Sequence, residues 1–178
     1  MKKIQSVRGM KDILPSDCKT YRSIENILIS AATQFGYKEI RTPLLEDSEL
    51  FIKSIGDGTD IVDKEMYTFI DSKGNSYSMR PEGTASCARA IIESGNSNSI
   101  NKLWYCGPFF RHERPQKGRY RQFHQFGAEF TGVESYEADI EIILLTKYMW
   151  EKLKINPKLK INTIGDSEDR KKYIKSLV

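Results

Sequence analysis

Two apolar runs, Leu103 to Phe110 and Phe126 to Phe130, lie either side of a basic stretch from Arg111 to Gln125. Short runs rich in aromatic and apolar residues, bounded by Pro and Gly, read as strands. A single loop between two such runs predicts an antiparallel pair. The stretch reads Arg-His-Glu-Arg-Pro-Gln-Lys-Gly-Arg-Tyr-Arg-Gln-Phe-His-Gln and holds five Lys/Arg, one acid, two aromatics and both of the chain's histidines. A strand pair carrying this loop sets fixed cations beside flat aromatic surface. That suits a polyanionic, planar ligand such as a nucleoside triphosphate or the end of an RNA.

The charge of the chain is concentrated there. The whole sequence has 28 Lys+Arg against 24 Asp+Glu. Residues 101–125 hold six of those bases and one of those acids, so the rest of the chain is close to neutral, at −1. A local patch points to a phosphate site; a basic surface throughout would point to non-specific nucleic-acid binding.

With 178 residues, 39% hydrophobic and 29% charged, the chain has room for one ordinary domain with a sizeable core. No apolar run approaches the roughly 20 residues needed to span a bilayer, and the first ten residues have no apolar segment of signal-peptide length. Cys18, Cys87 and Cys106 are odd in number and far apart. They read as reduced thiols, and the expected compartment is the cytoplasm, with no membrane partner.

Along the chain, helices and strands mix. Ser16 and Asp17 are candidate caps for a helix with Tyr21, Ile24, Leu28, Ala31 and Phe35 on its apolar face, stopped by Gly36. Tyr37 to Arg41 reads as a short strand cut by Pro43. Ser48 begins a second helix through Ile55, ended by Gly56 and Gly58. Tyr67 to Ile70 and Tyr77 to Met79 form a hairpin around Asp71 to Asn75. Arg80 to Thr84 is a turn, Ala85 to Glu93 a helix and Ser94 to Asn101 a loop. Glu137 to Leu153 is a long helix broken by Pro157. Leu159, Ile161 and Thr163 alternate as a strand, and Gly165-Asp166 leads into a last helical piece. Tight turns between sequential strands predict an α+β domain with a mainly antiparallel sheet flanked by helices. Neither the Gly-x-Gly-x-x-Gly nor the Gly-x-x-x-x-Gly-Lys-Ser/Thr nucleotide fingerprint occurs.

Side chains alternate faces along a strand. On the second strand, Phe123, Gln125, Gly127 and Glu129 share one face, while His124, Phe126, Ala128 and Phe130 share the other. The second set is suited to packing on helices. The first offers an aromatic, an amide, a gap and a carboxylate, a floor for a small amine-bearing ligand. On the first strand Arg111 shares a face with Gly107 and Phe109, and with Glu113 if the strand continues. Antiparallel pairing then puts Arg111 and Phe123 on one surface. Taken singly, Phe123 is more often a core residue than a stacking platform, Glu129 more often solvated or salt-bridged than a ligand contact, and a basic loop usually only a solvated one. In the Arg80–Thr84 turn, Glu82 and Thr84 offer polar groups and Gly83 allows close backbone approach, though the same residues also suit an ordinary helix start with Thr84 as its cap.

Together these segments resemble the class II aminoacyl-tRNA synthetases. Pro43, after a helix and short strand, resembles motif 1, the dimer-interface motif. Phe110-Arg111-His112-Glu113-Arg114 and Arg121 to Glu129 resemble motif 2. Arg8-Gly9-Met10-Lys11-Asp12-Ile13-Leu14-Pro15, Met79 to Thr84 and the run Gly107 to Gln125 are similar to the histidyl-tRNA synthetase family in particular. The resemblance covers essentially all 178 residues and implies ATP-dependent activation of L-histidine, then transfer to the 3′ end of tRNA(His) by a homodimer. It implies that Arg111 is catalytic and contacts the α-phosphate and the amino-acid carboxylate. Glu113 and Arg119 would place ATP, and Phe123 would stack on adenine. Glu82, Thr84 and Gln125, with Gly83 in the same turn, would hold the α-amino group, and Glu129 the imidazole. Gln116 and its loop neighbours would approach the tRNA. Magnesium is expected with ATP. No Cys/His cluster is present, so no zinc is expected.

The resemblance also implies that motif 3, a histidine-specific segment and an anticodon-binding domain belong beyond Val178. Residues 1–178 are then expected to be the N-terminal part of the catalytic domain, inactive or weakly active alone. Two other readings stay open. One is a synthetase-like regulatory subunit of histidine biosynthesis, which is expected to lack the basic loop. The other is a general RNA-binding module, which predicts broad, steeply salt-dependent affinity.

Overall fold

The computed structural model describes residues 3–56, 59–162 and 167–176. Its elements run in the order α1 (Pro15–Gln34), β1 (Lys38–Glu39), β2 (Leu45–Asp47), α2 (Ser48–Ile55), a π-helical turn (Ile61–Glu65), β3 (Tyr67–Ile70), β4 (Ser76–Met79), α3 (Thr84–Glu93), β5 (Asn101–Phe110), β6 (Gln122–Thr131), α4 (Tyr136–Lys152) and α5 (Ser167–Ser176). The strands form two sheets. One has the order β1-β5-β6 and the other β2-β4-β3. The smaller sheet is antiparallel throughout, whereas β1 lies parallel to β5 in the first. The architecture is α+β, as expected, with one mixed sheet.

The β5–β6 ladder pairs ten residues on each side, from Asn101↔Thr131 to Phe110↔Gln122. It sorts β6 as its alternation predicts. Phe126, Ala128 and Phe130 pack into a core with Trp104 of β5, Ala31 and Ala32 of α1, Tyr37, and Leu145 and Met149 of α4. Phe123 turns the other way, against a second cluster of Cys87, Tyr105 and Phe109. Burial pushes the Cys87 thiol up to about 12, so it is an inert packing group. Lys102 faces the helices, where it pairs with Glu141 of α4 at 2.7 Å. It is therefore not part of the loop's charge.

Several boundaries differ from expectation, each for a local reason. Helix α1 has Leu14 as its N-cap with no side-chain cap bond, and Pro15 stands in its first turn, where a missing N–H costs nothing. At α2 the capping carboxylate is Asp47, which accepts from Glu49 N at 2.8 Å; Ser48 instead shares a hydroxyl hydrogen bond with Ser78. Gly58 lies outside the described residues. Helix α4 ends at Lys152, before Pro157 is reached, and Lys154 takes a left-handed φ of 57°. Residues 157–162 form no strand, because no described strand runs alongside to take their hydrogen bonds; Leu159 lines a groove beside α4 together with Ile142 and Trp150. Thr163 and the Gly165-Asp166 pair lie outside the described residues.

Arg80 ties the sheets together. Its backbone N–H donates to Leu44 O, and its carbonyl accepts from Phe110 N. The buried guanidinium donates from Nε to Pro108 O at 3.0 Å and from one amino nitrogen to Thr42 O and Thr42 Oγ1 at 3.1 and 3.0 Å. It also lies 4.3 Å from the centre of the Phe109 ring. Lysine keeps the charge but not the fork. Arg80→Lys should therefore cost about 2–3 kcal/mol by leaving buried acceptors and a buried charge short of partners. Urea unfolding will read this as a lower midpoint at constant m value, and an unchanged midpoint would contradict the assignment.

Candidate active site

The face of the β5–β6 ladder away from α1 and α4 collects the polar groups. Register sets Tyr105 opposite Gly127, Gly107 opposite Gln125 and Phe109 opposite Phe123. Beyond the ladder's end, Arg111 N donates to Arg121 O at 2.9 Å, which carries the pairing into the loop. Arg111, Phe109, Gly107 and Tyr105 thus line up beside Phe123, Gln125, Gly127 and Glu129. The guanidinium of Arg111 lies 5.4 Å from the centre of the Phe123 ring, and Phe123 is stacked on Phe109 at 6.2 Å. The shared surface expected from strand parity is formed.

The gap expected at Gly127 is not open. Tyr105 is buried, and a Cβ at Gly127 or at Gly83 would fall inside its phenol ring. Glycine at both positions is what lets the ring fit between β6 and the 80–84 turn. The phenol hydroxyl donates to Glu129 Oε1 at 3.4 Å, and Thr84 Oγ1 donates to the same oxygen at 2.8 Å. Tyr105 did not emerge from the sequence as a site residue. Parity offered the signal, since position 105 shares a face with Gly107, Phe109 and Arg111.

Glu82, Gly83 and Thr84 arrive at the site as the start of α3. The cap position is Gly83, not Thr84. Glu82 is the residue that closes the helix end, accepting from Thr84 N at 2.5 Å and Ala85 N at 3.0 Å. That leaves the Thr84 hydroxyl free to reach Glu129 across 45 residues of sequence. Burial raises the carboxyl of Glu129 above its ordinary range, and the nearby charge of Glu82 adds to this. The hydrogen bonds from Thr84 and Tyr105 oppose the shift. Burial, then the neighbouring Glu129, also pushes the Tyr105 phenol well up, so it stays a donor. The result is a partly desolvated carboxylate, held in place by two hydroxyls and short of positive charge. Such a group favours a ligand that brings an N–H or a cation.

At the other end of the face, Arg111 Nε donates to Pro81 O at 2.9 Å, which aims the guanidinium along the site. Glu113 sits between two arginines, 3.1 Å from Arg119 and 4.0 Å from Arg111. Gln116 pairs with Arg119 across the Lys117-Gly118 turn at the exposed loop tip. Neither histidine joins the site: His112 packs edge-on to Tyr67, and His124 edge-on to Tyr21. Pro43 lies exposed just before β2, beside the exposed side chains of Leu44 and Leu45. All the residues expected to bind ATP and histidine therefore fall on one face, with Gln116 at its outer rim and Pro43 apart from it.

Comparison with known proteins places the fold in a family. A family model described as histidyl-tRNA synthetase matches residues 9–165. Apo histidyl-tRNA synthetase from S. aureus is 39% identical, with a TM-score of 0.76 over 98% of this chain and 41% of that one. A Bacillus halodurans protein described as an ATP phosphoribosyltransferase regulatory subunit/histidyl-tRNA synthetase is 27% identical, with a TM-score of 0.75 over 88% of this chain and 40% of that one. A histidine–tRNA ligase subunit from Alicyclobacillus acidocaldarius shares the fold at 22% identity, with a TM-score of 0.73 over 88% and 44% of the two chains. The chain spans about two fifths of the length of these solved structures. With the family model matched over most of its residues and 39% identity to a solved synthetase, this chain belongs to the histidyl-tRNA synthetase family.

Proposed function

We propose that these residues form one wall of the active site of a cytoplasmic, homodimeric histidine–tRNA ligase, which activates L-histidine with ATP and passes it to tRNA(His). The observation that carries this reading is the juxtaposition on one face of a carboxylate short of positive charge, Glu129, and an arginine beside an aromatic ring, Arg111 over Phe123. The first suits the imidazole N–H of histidine. The second suits a phosphate joined to a planar base. Between them lie Glu82, Thr84 and Gln125, which suit an ammonium group.

The chemistry follows from these residue types. The nucleophile is the carboxylate of histidine, already ionised at neutral pH, so no general base is required. The reaction needs the carboxylate and the α-phosphorus held in line, and it needs charge on the phosphoryl oxygens met as it builds. The forked guanidinium of Arg111 is held by Pro81 O, so it can bridge both anions without reorganising. Arg119 and Glu113 would steady the remaining phosphates. Magnesium arriving with ATP would neutralise phosphate charge; Glu113 is itself engaged by Arg119 and Arg111. Gln116, at the loop tip, would meet the acceptor end of the tRNA, and the exposed strip around Pro43 would meet the second subunit. No zinc has a role.

The mixed description of the Bacillus halodurans relative keeps a second reading in view: a histidine-binding regulatory subunit with no ligase activity. It would need Glu129 and its neighbours but would have no use for the cationic loop. The five bases of residues 111–125 favour the ligase.

In a complete synthetase carrying this site, Arg111→Ala should slow single-turnover adenylate formation by about 3 kcal/mol or more, roughly a hundredfold. An unchanged rate would remove Arg111 from the chemistry. The 178-residue chain alone should show little histidine-dependent pyrophosphate exchange, and near-normal exchange would refute the idea that it supplies only one wall. Glu129→Gln should weaken histidine use more than ATP use, with equal losses arguing for a purely structural role. The same variant should raise the thermal midpoint at neutral pH. Glu129 binds its proton more tightly folded than unfolded, so its ionised form destabilises the native chain above its raised value. The variant's advantage should be full at neutral pH and vanish as pH falls below the ordinary carboxylate range, where both states are protonated.

A further inference from the structure

The segment Val7 to Lys11 precedes every regular element, yet it lies against the loop that joins β5 to β6. It forms a turn closed by Met10 N donating to Val7 O at 2.9 Å, with Gly9 at φ 85° in the third position. That geometry asks for glycine. The carbonyl of Gly9 accepts from Arg121 N at 2.7 Å and also from Gln122 N at 3.4 Å, at the point where the loop enters β6. Contact there is tight. A Cβ on Gly9 would stand 2.8 Å from Cγ of Arg121 and 3.0 Å from Cγ of Pro115. Two residues on, Lys11 Nζ donates to the Tyr120 hydroxyl at 3.0 Å and lies 4.5 Å from the centre of that ring.

These contacts lead directly to the arginines. Arg121, lying back over Gly9, donates from Nε to the carbonyl of Glu113 at 3.2 Å. The carboxylate of Glu113 sits between Arg111 and Arg119. The opposite edge of the loop is fixed independently, by His112 N donating to Glu65 O at 2.6 Å. The loop is thus gripped at both margins, and on the β6 side by residues far from it in sequence.

We propose that Val7–Lys11 is a strap that sets the shape of the 111–121 loop, with Gly9 and Lys11 as positioning residues for nucleotide binding by Arg111 and Arg119. The consequence for nucleotide rests on the ligase reading above; the grip on the loop does not.

Trypsin tests the grip in the 178-residue chain and the nucleotide consequence in a complete synthetase, because the loop offers Lys117, Arg119 and Arg121 as cleavage sites. When opening is fast, cleavage follows the population of the open loop. Lys11→Met should speed cleavage in the loop about two- to threefold, as expected for loss of an exposed charged contact. Lys11→Arg should restore the original rate. Gly9→Ala, forced into a left-handed backbone, should speed it on the order of tenfold. Cleavage at the remote Lys152, Lys158 and Lys160 sites should not change, and neither should the thermal midpoint of Lys11→Met. In a complete synthetase carrying this site, magnesium ATP should protect the loop, with Lys11→Met needing severalfold more ATP and no change in the effect of histidine. Unaltered loop cleavage in both Gly9→Ala and Lys11→Met would overturn the strap, as would equal acceleration at the remote sites. Faster loop cleavage in the variants, with no ATP protection even in the unaltered complete synthetase, would instead overturn the nucleotide consequence and the reading it depends on.

Discussion

The register of β5 against β6 decides where every functional group falls. Ten consecutive pairs hold it, and the two faces differ so much in chemistry that a slip of one residue would bury Gln125 and Glu129 against α1 and α4 while exposing Phe126 and Phe130. The aromatic core on the helix side therefore does two jobs. It supplies burial, and it pins the polar residues to the opposite face. Trp104 stacked on Phe126 at 5.8 Å, with Leu145 and Met149 beneath, is the contact that makes the slip costly.

On the polar side, rigidity comes from Tyr105. The ring fills the space left by two absent side chains, at Gly83 and Gly127, and so locks the start of α3 to the middle of β6. Glu82, Thr84 and Glu129 are brought together from a turn and a strand by that one wedge. The arrangement has an energetic cost. Glu129 is kept partly away from water with two hydroxyl donors and no cation among the described residues beside it. A ligand N–H would relieve this, so the site is less stable empty than a neutral substitute would be, in line with the trade of stability against function common at active sites.

Most of the architecture was legible from periodicity. The α1, β3–β4, α3, β5–β6 and α4 segments follow from the apolar spacing and the Gly and Pro between them, and the alternation on β6 gave the faces correctly. What was not legible depended on contacts distant in sequence. Asp47 rather than Ser48 caps α2, because Ser48 is drawn to Ser78 on β4. The alternation of Leu159 and Ile161 had no neighbouring strand to satisfy it. Gly127 reads as a notch until Tyr105, from the facing strand, is placed in it. Gly9 carries no local mark of its role at all, since the partner that needs it, Arg121, is 112 residues away. The roles proposed for single residues in binding histidine and ATP came from family resemblance; the geometry adds which of them are neighbours.

The way the loop is held explains how it stays cationic. Five bases and one acid within fifteen residues repel one another, and the simplest remedy would be more carboxylates. The chain mostly uses neutral acceptors instead. Arg111 Nε is bound by Pro81 O, Arg121 Nε by Glu113 O, and the loop's backbone by the carbonyls of Gly9 and Glu65. Such bonds fix direction while cancelling no charge, so the positive potential remains available to a polyanion. Glu113 is the exception, and its place between Arg111 and Arg119 eases the repulsion between two cations that would otherwise push the loop open. On the proposed ligase reading, a loop shaped by carbonyls would be arranged for phosphate before any phosphate arrives, the condition under which its arginines would stabilise developing charge at the least cost in reorganisation.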